Sequence, residues 1–330
     1  MQIDVHATGT DIRWLDGQPA SSAELGGKAY GLNRLCSLGI PVPRAAAIPV
    51  SVYRQFAEAN DIPLRLDEPD SAEPEHVRER IQQSPLPEQV GMALAATGRA
   101  FRFARQRVSG GLAVRSSGSS EDSVDCAFAG LHDSLLNVDP GPALESALRH
   151  CWSSLWSDRA ISYRRERGLE DASIDMAVLI QEMVYSDVSF VGFAFDPVSG
   201  NEDTVLITAT WGLCEAVVAG LTVPDEIRVH RDGDVEYRIG SKHQMVVPGD
   251  TGVATVPVPR FLQGQPALDH ATAREIAQFI RIISSGLGYP ADVEGGIALG
   301  NIQFFQARPI TTLPSLERLH HVESGHCHER

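Results

Sequence analysis

A-D-V-E-G-G-I-A-L-G-N-I-Q-F-F-Q-A-R-P, residues 291–309, is the most informative stretch of the sequence. Its two halves predict strands, and Gly300 lies near the centre of the turn between them. A long amphipathic helix at about residues 270–287 leads into this stretch. The chain is therefore expected to bring a helix and then an antiparallel hairpin together near its end.

Pairing the two strands about Gly300 places four polar side chains together. Glu294 falls opposite Gln306, and Asp292 falls opposite Arg308. Because side chains at i and i+2 point to the same side of a strand, all four share one face. Such a patch is suited to holding Mg²⁺ through oxygen atoms while the guanidinium contacts a phosphate. The alternative is cross-strand salt bridging on a solvated face.

A second motif, G-G-K at residues 26–28, precedes an apolar-periodic stretch from Ala29 to Leu38. That periodicity predicts a helix, and Lys28 would lie at its start. Free backbone N–H groups and the helix dipole attract anions there, so the ammonium could meet a phosphate. The alternative is a loop with a solvated lysine.

Arg115 follows an apolar run in G-L-A-V-R-S-S, residues 111–117, which predicts a strand entering a polar loop. A guanidinium held at that position can form paired hydrogen bonds to phosphate oxygens. The alternative is a surface salt bridge to Glu121 or Asp122.

Strands and helices alternate irregularly through the rest of the chain. M-A-V-L-I-Q-E-M-V (176–184), F-V-G-F-A-F-D (190–196) and D-T-V-L-I-T-A-T (203–210) each predict strands separated by turn residues. Residues 87–108 and 141–167 have helical periodicity. This order predicts a mixed, largely antiparallel sheet region flanked by helices.

The composition narrows the class of protein. At 330 residues, more than one packed lobe is expected within a single large domain. A net charge of -15 argues against a nucleic-acid partner, which would require clustered cations. The five cysteines form no C-x-x-C pair, which favours a reducing cytoplasm. Neither a signal peptide nor a membrane-spanning apolar run is found, so we expect a soluble protein without a membrane partner.

Together these motifs resemble the nucleotide-binding domain shared by phosphoenolpyruvate synthase, pyruvate phosphate dikinase and rifampin phosphotransferase. The similarity runs from about Leu25 to Thr312. Its markers include LGGKAYGLNRLCSLGIPVP, LAVRSSGSSEDS, CWSSLWSDRAISYR, TATWGLCEAVVAG and the closing hairpin, in the same order and spacing. The resemblance implies an α+β, bilobed ATP-grasp-like fold that holds ATP and Mg²⁺ between its halves.

The resemblance also implies a role for each motif. The catalytic cations, which would neutralise phosphate charge, are Lys28, Arg115 and Arg308. The nucleotide would be contacted by Lys28, Arg115, Gly130, Gln181, Glu182, Met183, Val184, Glu215, Gln306 and Arg308. The metal would be held by Glu294, Gln306 and Asp292.

The strand V-L-I-Q-E-M-V-Y-S-D, residues 178–187, suggests the hinge where adenine sits. An exposed backbone edge there would offer a donor and an acceptor to the purine, and Met183 and Val184 would add an apolar wall. Periodicity alone would predict only a buried strand. Glu215 matches a nucleotide-contacting glutamate of the family, but it could equally be a dipole partner near a helix start.

We expect an N-terminal subdomain over residues 1–110, a nucleotide- and metal-binding region over 111–312 and a flexible His-rich tail over 313–330. The expected function is ATP-dependent phosphotransfer to a small-molecule acceptor. No T-S-H-A segment of the kind that carries phosphohistidine in longer relatives is found, so the chain alone should not make phosphoenolpyruvate from pyruvate. The alternatives are a subunit that phosphorylates a histidine on a separate phosphohistidine-domain protein, and an inactive ATP-binding regulator.

Overall fold

A computed structural model describes residues 12–66, 73–104, 110–118, 122–123, 126–127, 134–169, 173–197 and 199–310. The strands are β1 (Arg13–Trp14), β2 (Ala45–Ile48), β3 (Leu112–Ser117), β4 (Asp122–Ser123), β5 (Cys126–Ala127), β6 (Ser134–Val138), β7 (Ala177–Glu182), β8 (Val188–Phe193), β9 (Thr204–Trp211), β10 (Asp225–His230), β11 (Val235–Arg238), β12 (Gln244–Pro248), β13 (Val253–Pro257), β14 (Ala291–Ala298) and β15 (Asn301–Pro309). The helices are α1 (Ser22–Ser37), α2 (Val50–Ala59), α3 (Pro74–Gln83), α4 (Glu88–Ala104), α5 (Pro142–Ser153), α6 (Asp158–Glu166), α7 (Glu215–Val218), α8 (Arg260–Gln263) and α9 (His270–Leu287).

Two antiparallel sheets organise the molecule. The first has five strands in the order β1-β2-β7-β3-β6, and the second has six in the order β11-β10-β9-β8-β14-β15. Separate two-stranded ribbons are formed by β12 with β13 and by β4 with β5. Each sheet with its helices forms one lobe, which confirms the predicted α+β class and the predicted largely antiparallel pairing.

Aromatic packing stabilises the first lobe. The rings of Phe56 in α2 and Trp152 in α5 stack with centroids 4.8 Å apart, and both side chains are fully buried. Tyr53 contacts the same indole at 5.5 Å. Burying aromatic rings of this size removes a large apolar area from water, so the helices are held firmly against the first sheet.

The predicted amphipathic helix, α9, covers the second sheet. Its apolar face, which includes Ile276, Ile280 and Ile283, is fully buried in the core of that lobe. Asp269 precedes the helix as its N-cap, and its side chain accepts from the Thr272 N–H at 2.7 Å, which satisfies a terminal donor. The face and the cap together explain why this segment is helical.

Helix α1 packs between the lobes. Its buried residues share one core with strands of both sheets, including Leu179 of β7 and Ala307 of β15. A Cβ on Gly31 would lie 3.0 Å from the Ala307 carbonyl oxygen, so the helix approaches β15 closely. Gly26, with φ 70° and ψ 170°, interrupts the helix near its start. The regular part therefore begins just before Lys28, as the sequence predicts.

The first sheet takes strands from both sides of the predicted boundary at residue 110, because β1 and β2 pair in one sheet with β3, β6 and β7. The domain limits remain a prediction, and the tail at 313–330 lies outside the described residues. Within the described part of the chain, no helix combines the length and apolarity that crossing a bilayer requires.

Candidate functional site

The closing hairpin adopts the predicted register. Glu294 pairs with Gln306 and Asp292 pairs with Arg308 across β14 and β15. The strands are joined by a two-residue turn at Leu299 (φ 52°) and Gly300 (φ 78°). Two successive positive φ angles are typical of the tight turn whose twist suits a hairpin.

A β-bulge interrupts the hairpin beside the polar patch. The register shifts between Glu294 and Gly295, which pairs with Phe304, so Phe305 is the extra residue of β15. Phe304 is fully buried in the core, whereas Phe305 lines the cavity described below. A Cβ on Gly296 would lie 2.9 Å from the Phe305 ring, so a larger side chain there would collide with it. Bulges commonly redirect a side chain next to a site.

A cavity of about 790 Å³ lies between the two sheets, a size suited to a nucleotide. Every predicted site residue that the structure describes lines it. These residues are Lys28, Arg115, Gln181, Glu182, Met183, Val184, Glu215, Asp292, Glu294, Gln306 and Arg308. Gly130, the remaining predicted contact, lies outside the described residues.

Arg115 reaches from the first sheet to the closing hairpin. Its Nη2 donates to Oε1 of Gln306 at 3.0 Å and lies 3.4 Å from Oε2 of Glu294. Lys28, from α1, donates through Nζ to the carbonyl oxygen of Ser116 at 3.0 Å. The two first-lobe cations that line the cavity, Lys28 and Arg115, are thus held at its wall by groups that a phosphate could replace.

Two of the N–H groups at the start of α1 are not free, contrary to the expectation from the sequence. The Gly27 N–H donates to the Gly118 carbonyl at 2.8 Å, and the Ala29 N–H donates to Ser117 Oγ at 3.1 Å. The end of β3 thus satisfies these donors, because Gly26 lets the helix approach it closely. Lys28 therefore brings its ammonium to the cavity, but these two amides are not available to an anion.

Asp292 combines an ion pair with an unused oxygen. Its Oδ2 lies 2.8 Å from both Nε and Nη2 of Arg308. Among the described residues, its buried Oδ1 has no hydrogen-bond partner. Burial raises the pKa of this carboxyl, Arg308 opposes that shift, and Glu294 adds to it. A buried carboxylate oxygen without a donor is a suitable position for a cation.

The donor set suits Mg²⁺ that completes its coordination with phosphate and water. Asp292 and Glu294 supply carboxylates, and Mg²⁺ usually takes one or two of these in nucleotide sites. Oε1 of Gln306, a predicted ligand, already accepts from Arg115. No group of three or more His, Cys, Asp or Glu side chains is arranged for a metal ion in the described ranges.

Glu215 adds a third carboxylate to this end of the cavity. It begins the short helix α7, and burial raises the pKa of its carboxyl, while Arg115 lowers it and Glu294 raises it. The neighbouring Cys214 thiol, which sequence reasoning missed, has a pKa raised first by burial and then by Glu294 and Glu215. Arg115 is therefore the counter-ion of a dense acidic cluster.

The predicted exposed edge at the hinge is wrong for most of its length. Strand β7 lies in the middle of the first sheet, paired with both β2 and β3. At the end of β7, the Glu182 N–H donates to Arg44 O at 2.8 Å, and the next N–H, that of Met183, donates to Gly111 O at 3.3 Å. Residues 184–187 then cross to β8 in the second sheet. The exposed edge that the sequence predicts could therefore lie only in this short crossing.

Two polar side chains near the crossing line the cavity without using all their donors. Gln181 is 3% exposed, and its Nε2 has no hydrogen-bond partner within the described residues. Ser186 is 7% exposed, and its Oγ likewise has no hydrogen-bond partner within the described residues. Ser186 is not among the site residues predicted from the sequence. Buried polar atoms are rarely left unpaired, so both are candidates for contact with a ligand.

The family profile described as pyruvate phosphate dikinase, AMP/ATP-binding domain, matches residues 22–325. The chain is 35% identical over 308 residues to a rifampicin phosphotransferase of Streptomyces sviceus, covering 88% of this chain and 34% of that protein. It is 32% identical over 303 residues to a probable phosphoenolpyruvate synthase of Methanothermobacter thermautotrophicus, covering 87% and 44%. An uncharacterized phosphotransferase of Bacillus subtilis is 29% identical over 294 residues, covering 89% and 34%.

The chain thus spans 34–44% of the length of these relatives. The family match nevertheless covers most of this chain, which confirms the resemblance and the ATP-grasp-like fold predicted from the motifs. The protein belongs to the family of pyruvate phosphate dikinase AMP/ATP-binding domains.

Proposed function

We propose that the chain binds MgATP in the cavity between its lobes and transfers a phosphoryl group from ATP to a small-molecule acceptor. The observation that supports this most is the meeting of cations from both lobes. Lys28 and Arg115 of the first lobe and Arg308 of the second line the same cavity. The same lining carries the carboxylates of Glu182, Glu215, Asp292 and Glu294. Cations beside carboxylates suit a polyphosphate that binds together with a divalent metal ion.

The lining of the cavity includes both apolar and charged side chains. Met183, Val184, Leu213 and Val217 form an apolar wall beside the crossing between the sheets. A purine ring would bury its faces there, and the polar groups of Gln181 and Ser186 could meet its edge or the ribose. The triphosphate would then extend toward the cations and carboxylates of β3 and the closing hairpin.

Phosphoryl transfer depends mainly on positioning and on neutralising phosphate charge. Lys28, Arg115 and Arg308 would serve as the electrostatic groups. Glu294 and Asp292 would hold Mg²⁺, which when bound supplies further positive charge to the phosphate oxygens. As phosphate enters, Arg115 would exchange its bonds to Glu294 and Gln306 for phosphate oxygens, leaving that carboxylate to the metal.

A small-molecule acceptor is supported by relatives whose names include rifampicin phosphotransferase and probable phosphoenolpyruvate synthase. Incubation of the purified chain with MgATP and candidate acceptors, followed by quantification of AMP and ADP, tests this. Transfer only to a histidine on a separate protein would favour the partner alternative. Binding without turnover under every condition would favour the regulatory alternative.

Binding itself is tested by calorimetry and thermal melting. A ligand that binds only the native state adds about 2.7 kcal/mol of stability at a hundredfold excess over its Kd. MgATP is therefore expected to raise the melting temperature in a concentration-dependent way. An unchanged melting curve at millimolar MgATP, with no heat of binding, would refute the ATP site.

A further inference from the structure

The ribbon formed by β12 and β13 contributes one wall of the cavity. Its turn supplies the lining residues Gly252 and Val253, and Val253 is 39% exposed. The ribbon is attached to the second lobe by the Leu213 N–H, which donates to the Val246 carbonyl at 2.8 Å. The turn that follows β12 contacts the first lobe.

Asn137 contacts that turn from the first lobe. It lies in β6, the edge strand of the first sheet, where the pairing with β3 shifts by one residue. Its Nδ2 donates to the Gly249 carbonyl oxygen at 2.8 Å. Since a carbonyl oxygen can only accept, this contact determines which end of the amide faces the ribbon. The bulge directs the side chain away from its own sheet.

The same residue is bonded to the hinge. The Oδ1 of Asn137 accepts from the Tyr185 hydroxyl at 2.7 Å. The hydroxyl oxygen of Tyr185 in turn accepts from the Gly111 N–H at 2.8 Å. The Asn137 N–H lies 3.0 Å from Sδ of Met183, a residue of the apolar wall. Backbone and side-chain groups of Asn137 therefore connect the crossing segment to the ribbon turn.

The backbone of Asn137 supports a role beyond filling an edge strand. Its φ is 56°, in the left-handed region that asparagine tolerates better than most residues other than glycine. Non-glycine residues in that region are concentrated at functional sites, where the surrounding contacts hold them in place. Here that conformation is what accompanies the bulge and brings the amide to Gly249.

We propose that Asn137 is a positioning residue that clasps the turn of residues 249–253 onto the first lobe and so completes the nucleoside end of the cavity. This inference rests on the proposed MgATP site. Opening the clasp removes the Gly252 and Val253 wall but leaves Lys28 and the other cations in place. Affinity for the nucleoside part should therefore fall, whereas affinity for the polyphosphate part should not.

The decisive variant is Asn137→Asp, which keeps the side-chain shape and the acceptor for Tyr185 but replaces the donor facing Gly249 with an oxygen. Loss of one hydrogen bond, with an oxygen now facing the carbonyl, is expected to weaken MgATP binding on the order of tenfold. Binding of magnesium tripolyphosphate should stay unchanged. Hydrogen exchange of the amides at 249–253 should accelerate in the free protein.

Asn137→Gly is the second variant, because glycine accepts the positive φ and removes the clasp without adding charge. The matched control is Asn60→Asp, since the Asn60 Nδ2 also donates to backbone carbonyls, those of Phe56 at 2.9 Å and Pro85 at 3.3 Å. Asn60 does not line the cavity. The control should lose stability without losing MgATP affinity relative to tripolyphosphate.

The outcomes separate the two proposals. Wild-type protein that binds no MgATP would overturn the proposed function. Wild-type protein that binds MgATP, together with Asn137 variants that bind it equally well and exchange residues 249–253 at the wild-type rate, would overturn the clasp. Equal weakening of MgATP and tripolyphosphate binding in these variants would also overturn it, because the defect would then be general.

Discussion

Arg115 Nη2 lies 3.4 Å from Oε2 of Glu294, although 179 positions separate the two residues in the chain. The arginine belongs to the first sheet and the glutamate to the second, so the pair spans the cavity. The side chains are 15% and 20% exposed, which leaves each charge dependent on the other for compensation. A triphosphate and a metal ion would supply both charges with new partners.

Replacement of Glu294 by glutamine tests the metal half of this relationship. The amide keeps the side-chain shape but removes the charge that would hold Mg²⁺, so MgATP affinity should fall by about tenfold or more, equivalent to at least about 1.4 kcal/mol. Melting without ligand should change little, because neutralisation also relieves repulsion from Asp292 and Glu215. Calorimetry and melting curves measure both effects.

Glu226→Gln is the control for that experiment. Glu226 pairs at 3.6 Å with Arg228 and with Arg238 and does not line the cavity. The Glu226→Gln variant should bind MgATP with wild-type affinity. Wild-type affinity in Glu294→Gln as well would mean that the carboxylate of the hairpin has only a structural role.

Gly26→Ala should disrupt the position of Lys28. A Cβ on Gly26 would lie 1.8 Å from the Ser117 carbonyl oxygen, and the φ of 70° adds strain. Gly39 has the same φ of 70° but open space around its Cα. Gly39→Ala should therefore lower the free energy of unfolding by about 1 kcal/mol, and Gly26→Ala should lower it by about 1–3 kcal/mol more. Gly26→Ala alone should also weaken MgATP binding. Equal melting temperatures for the two variants would contradict the close contact.

The parts of the site that could be predicted from sequence are those governed by local rules. The pairing of Asp292 with Arg308 follows from strand periodicity and a turn at Gly300. The helix that carries Lys28 follows from apolar spacing, and the motifs identify the family. These rules operate within one hairpin or one helix, where few arrangements compete.

The parts that could not be predicted depend on non-local pairing. Strand β7 looks like a possible edge in sequence, but the order β1-β2-β7-β3-β6 places it centrally, which satisfies its backbone on both sides. The bulge that exposes Phe305 to the cavity needs the packing of Phe304 in the core. The contact of Asn137 with Gly249 joins residues 112 positions apart.

Removal of one partner from the buried pair of Asp225 and Lys242 should be among the most destabilising single changes in the second lobe. Both side chains are 0% exposed and bonded to each other. Asp225 also accepts from the Gly240 N–H at 2.9 Å and the Ala267 N–H at 2.8 Å. Asp225→Asn leaves a buried ammonium without its counter-ion and should lower the free energy of unfolding by about 3–5 kcal/mol.

A double-mutant cycle with Lys242→Met checks this. Because neither charge then remains, Asp225→Asn combined with Lys242→Met should cost clearly less than the sum of the single changes. Urea unfolding of the wild type, the two single variants and the double variant gives the coupling free energy between the two side chains. Strict additivity would show that the two side chains do not interact in the way their contact indicates.

Asp269, the N-cap of α9, should make a pH-dependent contribution to stability. Hydrogen bonds from the backbone and side chain of Thr272 lower the pKa of its carboxyl. A lowered folded-state pKa means that the contribution is complete above the unfolded value, about 3.9, and is lost as the pH falls through the folded value. Asp269→Ala should therefore lower the free energy of unfolding by about 1 kcal/mol at pH 7 and by progressively less below about pH 4.

Asp269→Asn keeps the cap without the charge, so its stability advantage over alanine should not fade with acid. Urea unfolding of the three proteins between about pH 7 and 3.5 measures this, and a wild-type advantage over Asp269→Ala that stayed constant over that range would refute the role of the ionised carboxylate.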